Sequence, residues 1–404
     1  MATTDFNKKV KLIRLIGITL HKYGTNAPRL EASLKDIASK LGLTGNFYIS
    51  PTYLSISIDS EDDQISRHVR VLPGETNLAK LHEVDHIASL LCEQKLSIDE
   101  AIEKIQAVET GPNNYPNIVT VLAYTMTSTA LAIILQGGLI EVILSTLIGA
   151  MVGILGILKF YFIKINEIFE FAAAFMAMSF CYLFFTADIL FNYQIVLISA
   201  LIVLVPGLSL TIAMNELATQ NLVSGTARLM GAMIDFFKIA FGILLAVEIG
   251  KIFFGKIPLV DVEALSSLYL IPAIFLATLS LTVIFNARKK DFVYILMSGV
   301  ITIGALQLSS LFFNQILSVF LSAFTMSFFS NLFARVENRP AAIIFLPGLI
   351  LLVPGSVGLR GLNLIFQNEF IQGLTGGFQM FIIAITIVAG IFLANISLNP
   401  RKHL

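Results

Sequence analysis

The sequence is poor in charged residues and in cysteine. Asp, Glu, Lys and Arg make up 13% of its 404 residues, and 27 basic side chains balance 27 acidic ones. A net charge of zero argues against a nucleic-acid partner, because such a partner is bound through a basic surface that displaces counterions. The two cysteines, Cys92 and Cys181, have neither paired nor metal-ligand spacing, which argues against a disulfide framework and a zinc cluster.

Apolar residues are what the chain has in excess. They make up 56% of it, and the mean hydropathy of +0.82 indicates a polytopic α-helical membrane protein. The charge is unevenly spread, since 28 of the 54 charged residues and four of the five His precede Asn117. Residues 1–14 lack the apolar core and cleavage site of a signal peptide. Residues 1–112 are therefore predicted to form a small cytoplasmic α/β domain.

Local patterns predict the elements of this first domain. They are two helices within 6–41, a strand or pair of strands within 47–58 interrupted at Pro51, a strand over 68–72, a helix over 77–92 and a last helix after Ser97. Ser97 and Glu100 have the spacing of a capping box. Residues 59–63 and Pro73-Gly74 predict turns, and 111–116 a linker.

Ten apolar segments follow, each long enough to cross about 30 Å of hydrocarbon. They run close to 118–137, 140–158, 170–187, 194–214, 228–249, 266–286, 292–311, 314–333, 341–360 and 371–395. With a cytoplasmic N-terminus, the inner loops and the C-terminal tail hold ten basic residues and the outer loops three. This bias predicts that both termini are cytoplasmic.

The membrane part contains a repeated sequence. Leu-Val-Pro-Gly occurs at 204–207 and again 148 positions later at 352–355, and aligning 204–246 with 352–394 gives twelve identities in 43. We interpret this as a duplication, with one repeat over 113–255 and the other over 256–404. Because an odd number of five spans separates the two units, the second repeat is predicted to be inverted relative to the first.

Each Leu-Val-Pro-Gly sequence predicts a broken membrane helix, because Pro removes a backbone donor and Gly relaxes the backbone. Two broken helices that meet near the bilayer centre are a transporter arrangement. The candidate substrate-binding residues are Pro206, Gly207, Asn215, Pro354, Gly355 and Asn363. The two Asn lie eight residues beyond the Gly of each break, and their carboxamides both donate and accept hydrogen bonds, although helix capping is the alternative.

Charged residues within the membrane segments are candidates for proton coupling. Asp235 and Lys238 lie three residues apart in the fifth span and share one helix face. A charge in the membrane is costly and is normally paired or faces a cavity, so we interpret Asp235 as protonatable and paired with Lys238; a structural ion pair is the alternative. Glu216 is the third candidate, although its position with Arg228 at the inner ends of spans four and five favours a solvated loop.

Residues 82–86, His-Glu-Val-Asp-His, match the H-E-x-x-H pattern of zinc peptidases. On a helix, His82 and His86 could bind zinc with Glu83 as general base, and Glu103 or Glu109 as a third ligand. The interpretation that we favour is a polar helix face beside apolar residues. We therefore predict no metal, no cofactor and no enzymatic activity.

Short motifs also occur in a defined order along the chain. They are His21-Lys22-Tyr23-Gly24, Arg29-Leu30-Glu31, Ser50-Pro51-Thr52, Pro73-Gly74 with Asn77-Leu78, Val84-Asp85, Ser97 to Ala101, Leu204 to Gly207 with Gly225 to Arg228, and Phe345 to Gly358. Over nearly the whole chain they resemble the threonine/serine exporter family. Membership implies about ten spans, a cytoplasmic N-terminal domain and proton-coupled export. This sequence departs from the pattern at Asn215-Glu216, where the family favours an acidic residue near the span end.

The sequence thus predicts a secondary active exporter of threonine and serine in a bacterial inner membrane, with substrate held between two broken helices. Its partners would be small amino acids, protons and the lipid bilayer; a homo-oligomer is left open. One alternative is a dicarboxylate exporter, as proposed for relatives whose halves are separate polypeptides; it needs cations at the cavity, for which Lys238 and Arg228 are the candidates. Another is a membrane-tethered zinc hydrolase that uses residues 82–86.

Overall fold

The computed structural model describes residues 2–59, 64–72, 74–353, 355–366 and 369–399. Its N-terminal part has four helices and a three-stranded sheet. The elements are α1 (Ala2–Lys22), α2 (Ala27–Lys40), β1 (Thr44–Ser50), β2 (Tyr53–Asp59), β3 (Gln64–Arg70), α3 (Leu78–Cys92) and α4 (Ile98–Thr110). The predicted turns at 59–63 and Pro73-Gly74 lie partly outside the described residues.

The sheet is an antiparallel meander in the order β1-β2-β3. The segment predicted as a strand or a pair of strands is a pair, since Ser50 pairs with Tyr53 across a turn at residues 51–52. Alternate residues of β1 and β2 are buried, including Phe47, Leu54 and Ile56, so one face of the sheet packs into the core that the helices share.

Asn and Ser side chains fix the helix starts of the N-terminal part. Asn26 and Asn77 accept the backbone N–H groups of Arg29 and Lys80 at the beginnings of α2 and α3. Before α4, Ser97 and Glu100 form the predicted capping box: each side chain accepts the other residue's N–H group. These hydrogen bonds satisfy backbone N–H groups in the first turns of the helices and so fix where each helix begins.

The rest of the chain is helical. The helices are α5 (Asn117–Ile134), α6 (Leu139–Leu158), α7 (Ile163–Glu167), α8 (Phe169–Thr186), α9 (Tyr193–Leu201), α10 (Gly207–Ala218), α11 (Leu222–Phe254), α12 (Leu270–Ile284), α13 (Phe292–Ser310), α14 (Gln315–Val336), α15 (Ala342–Leu352), α16 (Gly355–Phe366) and α17 (Phe370–Ser397). Within the described residues, nine helical segments are long and apolar enough to cross a membrane. The chain is therefore a polytopic membrane protein.

The segment 194–214, predicted as one of ten spans, consists of two shorter helices and is not among these nine. Helix α9 ends at Leu201 and α10 begins at Gly207, so the break occupies residues 202–206. Helix α11, predicted over 228–249, is longer at both ends and has 33 residues. The charges at its predicted ends are paired, Arg228 with Glu216 and Glu248 with Lys251, and the helix continues past them.

Close glycine contacts recur in the two halves of the membrane part. A side chain added at either Gly242 or Gly390 would collide with backbone and an alanine of a neighbouring helix. The neighbours are Phe171, Ala174 and Phe175 for Gly242, and Phe320, Ala323 and Phe324 for Gly390. Likewise, Ser128 lies against Gly149, and Thr278 against Gly299, 150 positions later. Helices α5, α6, α8 and α11 thus pack by the same contacts as α12, α13, α14 and α17.

Candidate functional site

A cavity of about 660 Å³ lies within the membrane part and extends to the N-terminal part. Both helix breaks line it, through residues 202–206 in the first half and through Ile350, Leu351, Val353 and Gly355 in the second. Its walls also include residues of α5, α6, α8, α11 and α12, while Glu75 and Thr76 line it at the N-terminal part. Its volume is within the range of small-molecule sites, roughly 300–1,000 Å³.

The two breaks touch one another at their glycines. A Cβ added to Gly207 would collide with Val353 Cγ1 and would lie 3.4 Å from the Cα atom of Gly355. Conversely, a Cβ added to Gly355 would lie 2.7 Å from Val205 Cγ1. The contact is reciprocal, because Gly207 and Val205 correspond to Gly355 and Val353 at the offset of 148 positions. Only a residue without a side chain permits this approach.

The local chain explains why helices start here. Pro206 has no N–H to continue α9, and its carbonyl oxygen accepts the N–H of Leu210, 3.0 Å away, in the first turn of α10. The first N–H groups of any helix lack partners within it, and the helix dipole makes that end electropositive. Helices α10 and α16 both begin at the crossing, at Gly207 and Gly355, where anionic groups are favoured. Pro354 lies outside the described residues.

Asp235 lines the cavity and forms an ion pair with Lys238, with 3.3 Å between Oδ1 and Nζ. The same Nζ atom lies 3.2 Å from Glu170 Oε2, on α8. Glu170 also lines the cavity, whereas Lys238 is not among its lining residues. One ammonium group therefore lies between two carboxylates that face the cavity. Sequence reasoning missed Glu170, because a charge at the first residue of a predicted span looks like an ordinary membrane boundary.

The remaining polar lining is mostly hydroxyl groups, including those of Thr120, Tyr124, Thr127, Ser209 and Ser356. Near the N-terminal part, the cavity contains one further ion pair, with 2.6 Å between Lys159 Nζ and Glu75 Oε1. The charged lining residues of the described chain are thus three carboxylates and one ammonium. The cavity has an acidic balance.

Two other sequence candidates lie elsewhere. Asn215 is half-buried in α10 and is not among the lining residues; its carbonyl accepts hydrogen bonds from Thr219. Asn363 belongs to α16, but its side chain lies outside the described part of the structure. The structure therefore brings together Gly207, Gly355 and Asp235 with Pro206, and does not bring Asn215 to them.

Glu216 is fully buried, so the expectation of a solvated loop at this position is wrong. Its Oε2 and Oε1 atoms accept hydrogen bonds from Nε and Nη2 of Arg228, at 3.1 Å each. Oε2 also accepts a hydrogen bond from the Ser224 hydroxyl at 2.8 Å. The fourth donor is the backbone N–H of Ala27, 3.1 Å from Oε1, at the start of α2. Glu216 is not a cavity-lining residue, and it joins the N-terminal part to α10 and α11.

A second junction joins the N-terminal part to the other half. The N–H groups of Leu78 and Ala79, in the first turn of α3, donate to Phe285 O at 2.9 Å and Asn286 O at 3.2 Å. Asn286 Oδ1 also accepts the N–H of Asn114 at 3.0 Å. The N–H groups at the start of α3, which have no partner within that helix, thus bond the carbonyl oxygens of the residues just beyond the end of α12. The N-terminal part is bonded to both halves of the membrane part.

The H-E-x-x-H residues lie on α3, at this second junction. The rings of His82 and His86 have centroids 6.4 Å apart, Glu83 is exposed and Asp85 is buried. Among the described residues there is no group of three His, Cys, Asp or Glu side chains that could hold a metal ion. The geometry of this helix therefore gives no support to the zinc-hydrolase alternative.

We expect His82 to make stability depend on pH. Burial, followed by Arg288, lowers the pKa of His82 from 6.5 to about 4, against the opposing effect of Asp291. Between about pH 6.5 and pH 4 the unfolded chain therefore binds a proton that the folded chain does not. The stability that a neutral His82 contributes is complete above this window and falls as the pH falls through it.

The measurement is the thermal unfolding temperature of the detergent-purified protein across this pH window. His82→Gln should flatten part of the decline toward acid, whereas His68→Gln, at an exposed histidine, should leave it as in the parent. An H82Q protein with the parent's pH profile would show that His82 does not carry this dependence.

Membrane helices around a cavity that contains two crossing helix breaks define the transporter class. Comparison of the sequence with protein families specifies it further. A threonine/serine exporter family model matches residues 11–250, and a second threonine/serine exporter model matches residues 271–397. Because the first match alone covers more than half of the chain, the chain belongs to the threonine/serine exporter family.

Fungal proteins are among the relatives. Pheromone-regulated membrane protein 10 is 26% identical in Saccharomyces cerevisiae, over 98% of this chain and 55% of that protein, and 23% identical in Candida albicans, over 98% of this chain and 38% of that protein. An uncharacterized protein of Schizosaccharomyces pombe is 22% identical over 88% of this chain and 49% of that protein. The chain thus spans about half or less of the length of these relatives. No solved structure matches it.

Proposed function

We propose that this protein is a secondary active exporter of threonine and serine, driven by the proton gradient. The observation that carries the proposal is the cavity at the crossing of the two breaks, where two helix starts and two carboxylates face one space. The substrate's carboxylate binds at the starts of α10 and α16, and its ammonium group binds at Asp235 and Glu170. Threonine and serine hydroxyls have partners in Thr120 and Ser209.

The charges of the cavity favour an amino acid over a dicarboxylate. A dianion would enter a lining with three carboxylates and one ammonium, and that ammonium, on Lys159, is already paired with Glu75. Lys238, a candidate cation behind the lining, is already paired with Asp235 and Glu170. Arg228, named above as a possible cation for such a cargo, is bound to Glu216 away from the cavity. A zwitterion presents its carboxylate to the helix starts and its ammonium group to Asp235 and Glu170, where two carboxylates share the single ammonium of Lys238.

The proposed architecture has ten spans in two inverted five-span repeats, 113–255 and 256–404, after a cytoplasmic domain of residues 1–112. Two observations support this arrangement, the first for the repeat and the second for a two-fold relation between its copies. The glycine contacts of each half recur 148 to 150 positions later, and the Gly207–Val353 contact is matched by Gly355–Val205, as a two-fold axis through the crossing requires. In this arrangement α9 with α10 forms the tenth span, broken like α15 with α16.

In the proposed orientation both termini are cytoplasmic, as the bias of loop cations favours. The cavity then opens toward the cytoplasm, the side from which an exporter takes its substrate. Placement in a bacterial inner membrane rests on the sequence resemblance, since the relatives named above are fungal proteins. Asp235, beside Lys238 and Glu170, is the proposed protonatable group, because protonation would release Lys238 to Glu170 and lower the acidic balance of the cavity.

The test is efflux from proteoliposomes loaded with labelled threonine, serine or succinate, with and without an imposed proton gradient. We expect gradient-dependent flux of threonine and serine. Asp235→Asn and Glu170→Gln should each lower it about 10- to 100-fold, because a hydrogen bond to a charged group contributes about 1.5–3 kcal/mol. Asp261→Asn, at an exposed loop residue, is the control and should match the parent. Flux of succinate alone would replace this proposal by the dicarboxylate exporter.

A further inference from the structure

Glu141 is a buried carboxylate at the end of the membrane part opposite the N-terminal part. It lies near the start of α6, whose 20 residues span about 30 Å and end beside Lys159, which contacts the N-terminal part. Only 1% of Glu141 is exposed. It is one of the few buried charged groups of the membrane part, and the transport scheme above does not use it.

The two oxygens of Glu141 join the starts of two helices. Oε2 accepts the N–H of Gly138 at 2.9 Å, at the start of α6, and Oε1 accepts the N–H of Asn192 at 2.8 Å, at the start of α9. Helix α9 leads directly into the break at the crossing. The carboxylate therefore holds the outer end of a broken helix against the neighbouring helix.

The second half has a corresponding carboxylate with different partners. Asp291 follows Glu141 by 150 positions, the same offset that relates Gly149 and Ser128 to Gly299 and Thr278. Asp291 is also fully buried, but Arg288 binds it through two nitrogens at 2.9 and 3.0 Å, and Arg339, just before α15, lies 3.4 Å away.

Equivalent carboxylates thus anchor the two broken helices at opposite ends of the membrane part. Asp291 is held by two cations. Glu141 has only backbone N–H donors, and in the described chain no Lys, Arg or His side chain pairs with it. Its charge is therefore the only one in its anchor, so a single proton can remove it.

Tyr193, the residue after Asn192, is buried, whereas the acidic and basic groups on the segments near Glu141 are exposed. The exposed groups are Asp188 before α9, the Glu248–Lys251 pair near the end of α11, and Lys256, Asp261 and Glu263 on the loop that follows α11. This loop contacts the start of α6, because the N–H of Leu265 donates to the carbonyl oxygen of Gly137. Gln136, in the turn just before Gly138, is exposed as well, so the path from the outer solution is short. A proton from that solution is therefore the nearest positive charge that can neutralise the Glu141 carboxylate.

We propose that Glu141 is a proton-binding latch that holds the cavity closed on the side opposite the N-terminal part. This rests on the proposed function, in which the two halves move relative to one another. The ionised carboxylate accepts two charge-assisted hydrogen bonds from helix starts, where negative charge is favoured. Protonation removes the charge and weakens both bonds, so α9 separates from α6 and the crossing opens outward. The contacts of Asp291 with two arginines, at the opposite end of the membrane part, are not broken by protons from the outer solution.

The test measures outward opening without any substrate. In a background with Cys92→Ser and Cys181→Ala, Ser209→Cys places one thiol in the cavity, and intact cells are treated with a membrane-impermeant maleimide. Because only the thiolate reacts and its fraction falls with pH, labelling is expressed relative to that of a thiol placed on an exposed loop by Asp261→Cys and measured at the same pH. We expect this relative labelling of the Ser209→Cys thiol to rise severalfold as the external pH falls from about 7 to about 4. Adding Glu141→Gln, which mimics the protonated carboxyl, should give high relative labelling at every pH. Adding Glu263→Gln, on the exposed loop nearby, should leave the pH profile unchanged.

Three results would overturn the latch. They are labelling in the parent that does not depend on external pH, a pH profile in E141Q equal to the parent's, or an E263Q profile as flat as that of E141Q. If E141Q does not accumulate, Glu141→Asp is the deciding variant. Its shorter side chain should loosen the bonds to the two helix starts and raise labelling above the parent's; a parental profile would reject the idea. Because labelling needs no cargo, absence of threonine and serine flux beside normal labelling would reject the proposed substrate and leave the latch intact.

Discussion

Gly207→Ala is expected to abolish most transport while the protein still inserts into the membrane. The added methyl group would collide with Val353 Cγ1 at the crossing of the two breaks. Valine is stiff about χ1, so its methyl cannot turn away without strain. Overpacking of this kind costs roughly 1–3 kcal/mol, which corresponds to a factor of about five to 150 in the population of the crossed state.

Transport of threonine and serine in proteoliposomes is the measurement, corrected for the amount of protein inserted. The matched control is Gly231→Ala on α11, where an added methyl has open space, with nothing within 4 Å. The double variant Gly207→Ala with Val353→Ala removes the colliding atom and should recover much of the flux, as a coupled pair requires. If Gly207→Ala transports like Gly231→Ala, close approach at the crossing is not needed for function.

The reciprocal pair offers an independent check of the same idea. Gly355→Ala should also lower flux, because its methyl would lie 2.7 Å from Val205 Cγ1, and Val205→Ala should relieve it. A pair of helices related by a two-fold axis should respond alike at both glycines. A large effect at Gly207 and none at Gly355 would contradict the proposed symmetry of the crossing.

Glu216→Ala is expected to release the N-terminal part from the first half of the membrane part and to lower stability markedly. The substitution leaves Arg228, whose side chain is 20% exposed, without its carboxylate, and leaves Ser224 and the Ala27 N–H without their acceptor. Removing one partner of a buried ion pair typically costs about 3–5 kcal/mol, because the other charge stays buried and uncompensated.

The loss of stability is measured by the thermal unfolding temperature in detergent. It is also measured by the rate of proteolysis at residues 22–26 and 111–116, which flank the two junctions. Glu248→Ala is the control, because its pair with Lys251 is exposed and such pairs contribute about 0.2–1 kcal/mol. Adding Arg228→Ala to Glu216→Ala should restore part of the stability, since no unpaired charge then remains. An unchanged unfolding temperature in Glu216→Ala would mean that the junction contributes little to the fold.

Much of the fold could be predicted because its causes are local. The capping box of Ser97 and Glu100 needs residues three apart, and the strand pair around the turn at 51–52 needs alternation and turn residues within one short stretch. Each membrane helix follows from a run of apolar residues long enough to cross the bilayer. The break at 202–206 follows from one Pro and one Gly. None of these requires knowledge of a distant contact.

The candidate site was predicted only in part, because some of its residues are brought together by contacts between distant parts of the chain. Pro206, Gly207 and Asp235 were identified because each is unusual within an apolar run. Glu170 was missed because its partner Lys238 lies 68 residues away on another helix. Asn215 was chosen for its polarity and its place after a break, but the rotation of α10 turns it away from the cavity.

Sequence by itself determined that this chain is a membrane protein of the threonine/serine exporter family with two broken helices, because hydropathy, Pro-Gly breaks and motif order are properties of short segments. Only the tertiary structure decided that the breaks cross at Gly207 and Gly355, and that Glu216 is a buried junction. Ala27 and Glu216 are 189 residues apart. Whether a carboxylate is solvated or enclosed depends on which surface covers it, and only the packing of the whole chain fixes that surface.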